Sequence, residues 1–242
     1  MNQVSQPEAN LLLMVATQLN NRSRWIIIKK ISSKALSAGD NYKLLSGLII
    51  PRTVAWVSTL NEDGESINLA PFSFFSSVPS SRPLITLGIG ETQQGKPKDT
   101  VRNILREKEA VVQIPNANEL KVLNETAATL PYGESEVTKS HLHLTPSNTI
   151  KTPAITDAPV RLETKLYKAI PVDDQNNRQD AVILLMKVVD YLIDDSIIDN
   201  RYHIDVRALN PIARLAGPNY GRFGEIPTGT TRSWFTAIII FQ

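Results

Sequence analysis

The sequence predicts a mainly β domain with attached helices, closed as a barrel and not as a doubly wound sheet. Three observations carry this. Short runs of β-branched and aromatic residues recur between Gly, Pro, Asn and Asp. Only a few stretches space their apolar residues helically. Strands and helices do not alternate in βαβα order.

Residues 1–30 read as a separate extension. The apolar run Leu11–Ala16 is soon broken by Asn20, Asn21, Arg22 and Ser23, and Trp25–Lys29 is β-branched but has no obvious partner. This region is expected to be a helix or strand on the outside, or partly disordered. The barrel starts near Ile50. Thr53–Leu60 is rich in β-formers, Asn61–Gly64 supplies turn chemistry, and Ser66–Ala70 is the return strand of a hairpin. Pro71 lacks an N–H and is expected to end that ladder. After a loop over Ser76–Pro83, Leu84–Gly90 reads as a strand and Gln93–Pro97 as a turn.

Asp99 is a good N-cap residue for a helix over Thr100–Lys108, whose apolar stripe is Val101, Ile104 and Leu105. Ala110–Ile114 is a strand stopped by Pro115, and Asn118 is expected to cap a second helix running to about Thr126. Residues 131–159 are irregular around a short helix near Glu134–Ser140. Val160–Ile170, Ala181–Val189 and a weaker Tyr191–Ile193 read as strands, with Pro171–Gln179 as a loop.

Composition removes several function classes. The chain has 242 residues, of which 42% are hydrophobic and 21% charged, as in soluble globular domains. The 26 basic and 24 acidic residues give a formal charge of +2, too balanced for a general nucleic-acid binder. There is no cysteine, so disulfides, thiolate nucleophiles and Cys-ligated metals are excluded, which suits a cytoplasmic protein. No run approaches the roughly 20 apolar residues of a membrane span. The Leu11–Ala16 run lacks a signal peptide's flanks.

Two segments carry possible chemistry. Asn68–Phe75 leaves a strand with Asn, Ser and three aromatic rings beside a proline bend. Its backbone groups could read the edge of a planar heterocycle, with the rings as an apolar wall; a turn whose phenylalanines fill the core fits the composition too. Lys98-Asp99-Thr100 opens a helix, where free N–H groups and the dipole favour a phosphate. Asp99 suits that site better as a cap with its charge turned away than as a ligand. A capped helix with a surface lysine is the plainer reading.

Other patterns carry little. Gly88-Ile89-Gly90 lacks the third glycine of a dinucleotide fingerprint. His141, His143 and His203 match no metal spacing, and no nucleophile elbow is present. Asp190, Asp194, Asp195, Asp199 and Asp205 lack the spacing and glycine of a calcium loop and read as a solvated edge. No metal site and no catalytic acid or base is assigned.

Five blocks in order resemble the flavin-reductase-like, FMN-binding split-barrel family. They are YKLLSGLIIPRTVAWVST over 42–59, NLAPFSFF over 68–75 after Asp63-Gly64, KDTVRNI over 98–104, LNETA over 123–127, and NPIARLAG over 210–217 with Tyr220. The resemblance spans about residues 31–225, inside an expected domain of 31–229. It implies a split β-barrel homodimer with FMN near the subunit interface. It also implies NADH or NADPH as hydride donor, and a monooxygenase as a possible recipient of reduced flavin. An FMN-binding electron-transfer or flavin-storage module, without nicotinamide oxidation of its own, is the alternative.

Carried residue by residue, the resemblance puts Ser58 and Thr59 near the flavin or its phosphate. Asn68, Ala70, Pro71, Phe72 and Ser73 would line the isoalloxazine, largely through backbone atoms. Lys98, Asp99 and Thr100 would hold the phosphate end, and Arg214, Gly217 and Tyr220 would close the site. Hydride transfer asks little acid–base chemistry of a protein, which matches the lack of a His-centred constellation. The tail over 230–242, with the apolar run Trp234–Phe241, lies outside the resemblance and reads as an added strand, a dimer contact or an aggregation-prone segment.

Overall fold

The strand Ala55–Leu60 is buried along almost its whole length, so both of its faces must be covered. The computed structural model, which describes residues 12–19, 22–92, 94–174 and 176–225, shows how. The chain divides into two compact units, residues 1–49 and 50–242.

In the first unit, β1 (Leu12–Leu19) and β2 (Arg22–Lys29) form an antiparallel hairpin in continuous register. The strand reading of this extension is the one the structure adopts. A single 3-10 turn over Ser33–Ala35 leads to α1 (Ala38–Leu48). Ser37 caps α1, its hydroxyl accepting from the Asp40 N–H at 3.1 Å.

The second unit begins with β3 (Arg52–Thr53), β4 (Ala55–Leu60), β5 (Ile67–Phe72), β6 (Phe75–Ser77) and β7 (Leu84–Gly90). There follow α2 (Asp99–Glu107), β8 (Glu109–Gln113), α3 (Leu120–Glu125), α4 (Glu136–Lys139), β9 (Leu144–Thr145) and β10 (Ala154–Ile155). The long hairpin β11 (Val160–Asp173) and β12 (Gln179–Ile193) comes next, then α5 (Val206–Leu209), β13 (Ala213–Arg214) and β14 (Tyr220–Gly221).

One seven-stranded sheet runs β5-β4-β8-β11-β12-β7-β6, with every pairing antiparallel. It curls, because Phe72 of β5 and Leu87 and Ile89 of β7, from opposite flanks of the sheet, share one core. Val101 and Ile104 of α2 enter the same core and fill the curl. The other face of β4 and β5 presents Trp56, Ile67 and Leu69, covered by Ala117, Leu123, Val137, Ile155, Ala158 and Ile212. The expected mainly β barrel with attached helices is the fold observed.

Several local expectations are corrected. Pro71 does not end its ladder; it pairs with Trp56 inside β5. β5 is an edge strand, and Pro71 shares parity with Leu69, whose N–H points outward to Glu136 Oε2 at 2.9 Å. The N–H that proline lacks would therefore have faced the open edge, where its loss costs no ladder bond. Pro171 sits inside β11 for a similar reason, past Arg161–Lys165, where β8 pairs with that strand. The loop after Phe75 starts later than expected, because Ser76 and Ser77 pair with β7. Tyr191–Ile193 is the end of β12 and not a separate strand.

The helix starts also move. Lys98 is the N-cap of α2 and Asp99 its first residue. Leu105 is exposed, and the buried face of α2 is Thr100, Val101, Asn103 and Ile104. Asn116, not Asn118, caps the next helical segment, in a reciprocal capping box with Glu119 across a 3-10 turn, Ala117–Glu119. The tail over 230–242 and the first eleven residues lie outside the described residues.

Candidate flavin site

β4 and β5 present alternating side chains, so each strand sorts its residues onto two faces. Thr59, Val57 and Ala55 lie opposite Asn68, Ala70 and Phe72 on the face that looks into the curl. α2 packs on this face. Its first turn brings Thr100 to the sheet, where Asn68 Nδ2 donates to Thr100 Oγ1 at 2.9 Å and to Thr59 Oγ1 at 3.0 Å. The two sequence motifs, Asn68–Phe75 and Lys98–Thr100, thus meet directly through Asn68 and Thr100.

Asn103, one turn along α2, extends this network. Its Nδ2 donates to Thr59 Oγ1 at 3.1 Å and to Asn61 Oδ1 at 3.0 Å, and its Oδ1 accepts from Arg106 at 3.1 Å. Arg106 in turn donates to the Leu60 carbonyl at 2.7 Å. Thr59, Asn68, Thr100 and Asn103 are all at most 4% exposed. Buried polar groups must be satisfied, and here they satisfy one another. The network pins the start of α2 to the β4–β5 hairpin.

At that start stands Lys98. No side chain caps the first turn, whereas α1, α4 and α5 are capped by Ser37, Ser135 and Asp205. Lys98 Nζ lies 5.7 Å from the centre of the Phe72 ring. Among the described residues it forms no ion pair. The side chain reaches solvent, yet the protein around its ammonium strips part of its hydration and draws its pKa below the ordinary lysine range. Asp99 turns its carboxylate to Arg102, with which it forms an ion pair.

Ser58 faces the other way. It is fully buried and donates to Gln113 Oε1 at 3.2 Å, on the side of β4 that carries Trp56. The structure brings Thr59, not the Ser58 side chain, to Asn68 and Thr100. Ala70 and Pro71 are half-buried.

A second cluster lies past the end of β5. β13 bridges β3 and β14 in a three-stranded sheet, with Arg214 between Arg52 and Tyr220 in register. Arg52 Nε donates to Ser73 Oγ at 3.3 Å, and its guanidinium lies 5.5 Å from the Phe74 ring centre. Arg214 lies 4.5 Å from the Tyr220 ring centre and donates to the Gly217 carbonyl at 2.8 Å. Gly217 has φ of 61°, the left-handed turn that glycine adopts most freely. Arg52 thus links Ser73 to the strand carrying Arg214. The histidines take no part: His203 pairs with Asp199 at 3.0 Å, and His141 and His143 are exposed. Among the described residues no group of three or more His, Asp or Glu is placed to hold a metal ion.

Sequence reasoning missed Arg52, Asn61, Asn103, Gln113 and Glu136. For Asn103 a signal existed: it follows Thr100 by three on the same helical face as Ile104. Glu136 is buried from within an irregular stretch and had none. Its burial, and then Asp99 nearby, raise its pKa above the usual carboxylate range.

The model of the flavin reductase like domain matches residues 46–207. The chain belongs to this family. The uncharacterised protein YwrF of Bacillus subtilis is 40% identical over 191 residues, 78% of this chain and 92% of that protein. Among solved structures, nitrilotriacetate monooxygenase component B from Bacillus cereus is 36% identical, with a TM-score of 0.78 over 82% of this chain and 97% of its own. The 2-nitrobenzoate 2-nitroreductase NbaA of Pseudomonas fluorescens is 29% identical, with a TM-score of 0.75 over 85% and 97%. A Shewanella frigidimarina protein with a split barrel domain, 18% identical with a TM-score of 0.70, shares the fold.

Proposed function

We propose that this chain is an NAD(P)H-dependent flavin reductase that binds FMN between the start of α2 and the Asn68–Ser73 segment. The observation that carries the reading is Lys98. In a flavin reductase like domain, a cation with no carboxylate partner among the described residues heads an uncapped helix, where the dipole already favours an anion. A phosphate monoester fits this donor set, which consists of the first-turn N–H groups of Asp99 and Thr100 and the Lys98 ammonium.

When bound, FMN supplies the hydride-accepting and hydride-donating chemistry. The chain's own residues bind and orient. Lys98 and the first turn of α2 hold the phosphate. Thr59, Asn68, Thr100 and Asn103 fix that turn against the sheet. The backbone of Asn68–Ser73 and the Phe72 ring form the wall beside the isoalloxazine, and Arg214, Gly217 and Tyr220 close the far end. No side chain is given an acid or base role.

The hydride donor is NADH or NADPH. Similarity to a monooxygenase component B supports a monooxygenase as the user of the reduced flavin. A homodimer is part of the proposal. β11 runs past the end of its pairing with β8, and Tyr167, Ile170 and Val172 are exposed there, which suits a second copy. A cytoplasmic location accompanies the nicotinamide donor; among the described residues no helix is long and apolar enough to cross a membrane.

The test is direct. Purified protein should show flavin absorption on adding FMN and should oxidise NADH or NADPH in its presence. Bound FMN that neither nicotinamide reduces, but that a partner protein does, would leave an electron carrier. A protein that ignores FMN would end the proposal.

A further inference from the structure

The start of α2 holds a contradiction. A phosphate there would meet Lys98 and free N–H groups, but also the carboxylate of Asp99, which lies between Lys98 and Thr100 in the chain. A second acid lies close by, because the Asp99 charge is felt at Glu136. Unscreened, these charges would oppose the anion that Lys98 attracts.

Arg102 resolves this. It follows Asp99 by three on the helix and forms an ion pair with its carboxylate. The guanidinium lies 4.0 Å from the centre of the Tyr132 ring, a close cation–ring stack. Tyr132 is itself held, because its hydroxyl donates to Glu62 Oε2 at 2.9 Å. Glu62 belongs to the turn between β4 and β5. α2 and the 131–135 stretch therefore meet at this guanidinium, and the hairpin turn holds the Tyr132 ring that stacks on it. Among the described residues Arg102 Nε is buried without a hydrogen-bond partner, and the Asp99 pair and the Tyr132 ring are the contacts that hold the group in place.

We infer that Arg102 is a positioning residue that sets the specificity of this site for a phosphorylated flavin, by neutralising Asp99 and holding its carboxylate away from the phosphate, with Tyr132 as the clamp. The inference rests on the FMN reading above. It assigns Arg102 no contact with the ligand; it acts through Asp99. Arginine suits the task better than lysine, because its planar group both stacks on the ring and pairs with the carboxylate.

The experiment is a comparison of FMN and riboflavin binding, followed by flavin fluorescence quenching, which needs no turnover. Riboflavin shares the ring and ribityl chain and lacks the phosphate. Arg102→Ala should weaken FMN about tenfold, the scale of one charge–charge interaction at a partly exposed site, and riboflavin less than about twofold. The double variant Asp99→Asn/Arg102→Ala should recover FMN binding to within about threefold of the wild type, because the uncovered charge is gone. A merely structural role for Arg102 would not be repaired in this way. Should Arg102→Ala not fold, Arg102→Lys keeps the charge and should retain most of the FMN preference.

Equal losses for both flavins in Arg102→Ala, or a double variant as weak for FMN as the single one, would overturn the inference while leaving the FMN reading intact. A wild type that binds riboflavin as tightly as FMN would instead remove the phosphate reading itself.

Discussion

The two ends of the candidate site are built in opposite ways. Around Asn68 and Thr100 the side chains are at most 4% exposed, and each polar group spends its bonds on its neighbours. Around Ser73 and Arg214 the strands are two residues long, and the side chains are half-buried or exposed. Guanidinium–ring contacts at 5.5 and 4.5 Å do much of the holding there. A buried, fully paired network has one arrangement and resists change, whereas half-exposed stacking tolerates several. The first end suits the unvarying part of a ligand. The second suits a part that must exchange.

The sharpest way to break this contrast is Asn103→Leu. It removes three hydrogen bonds and leaves Thr59 and Asn61 short of a partner in a buried place, while the exposed Arg106 keeps its bond to the Leu60 carbonyl. We expect a loss of about 3 kcal/mol in stability, read by urea unfolding. A loss below about 1 kcal/mol would mean that the network is not the rigid element described here.

Lys98→Ala probes the ligand side of the same end. FMN affinity should fall about tenfold, on the scale of a lost charge-assisted bond, with riboflavin almost unaffected. Calorimetric titration with both flavins checks it; equal losses would detach Lys98 from the phosphate.

Arg214→Ala tests the looser end. Only a half-exposed ring stack and one carbonyl contact go, so stability should fall by about 0.5–1 kcal/mol. The ratio of FMN to riboflavin affinity should stay unchanged. A shifted ratio would show that the two ends are coupled.

The smallest effect concerns pH. Burial raises the pKa of Glu136 above its unfolded value, so the native state keeps that proton longer. Stability is then lost as pH climbs from the ordinary glutamate value through the raised one. Glu136→Gln retains an acceptor for the Leu69 N–H without the charge. Its melting temperature relative to wild type should rise as pH climbs above the ordinary glutamate range. Parallel curves would remove Glu136 as the titrating group.

Much of this fold is legible along the chain because its signals are local. Asn61–Gly64 turns the β4–β5 hairpin, with Gly64 at φ of 73°, and Leu84–Gly90 is a strand with the expected bounds. Part of what failed was set by neighbours distant in sequence. The sequence around Pro71 does not say that β5 is an edge, and so predicts a break where the strand continues. Asp99 has the chemistry of a cap, but its carboxylate goes to Arg102. Ser58 and Thr59 are adjacent in a motif, yet a strand sends them to opposite faces. Likewise Glu136 reaches the sheet only because the irregular stretch folds back on β5.

That fold-back has a consequence for how the protein keeps to itself in crowded solution. Ser135 donates to the Ile67 carbonyl at 2.6 Å and Glu136 accepts from the Leu69 N–H, so the first part of the β5 edge is already spoken for. Beyond Leu69, strand geometry leaves the carbonyls of Leu69 and Pro71 facing outward, and Pro71 brings no donor between them. A foreign strand needs donors and acceptors in alternation to zip onto an edge. This border of the sheet offers it only acceptors, which makes it a poor seed for fibril growth.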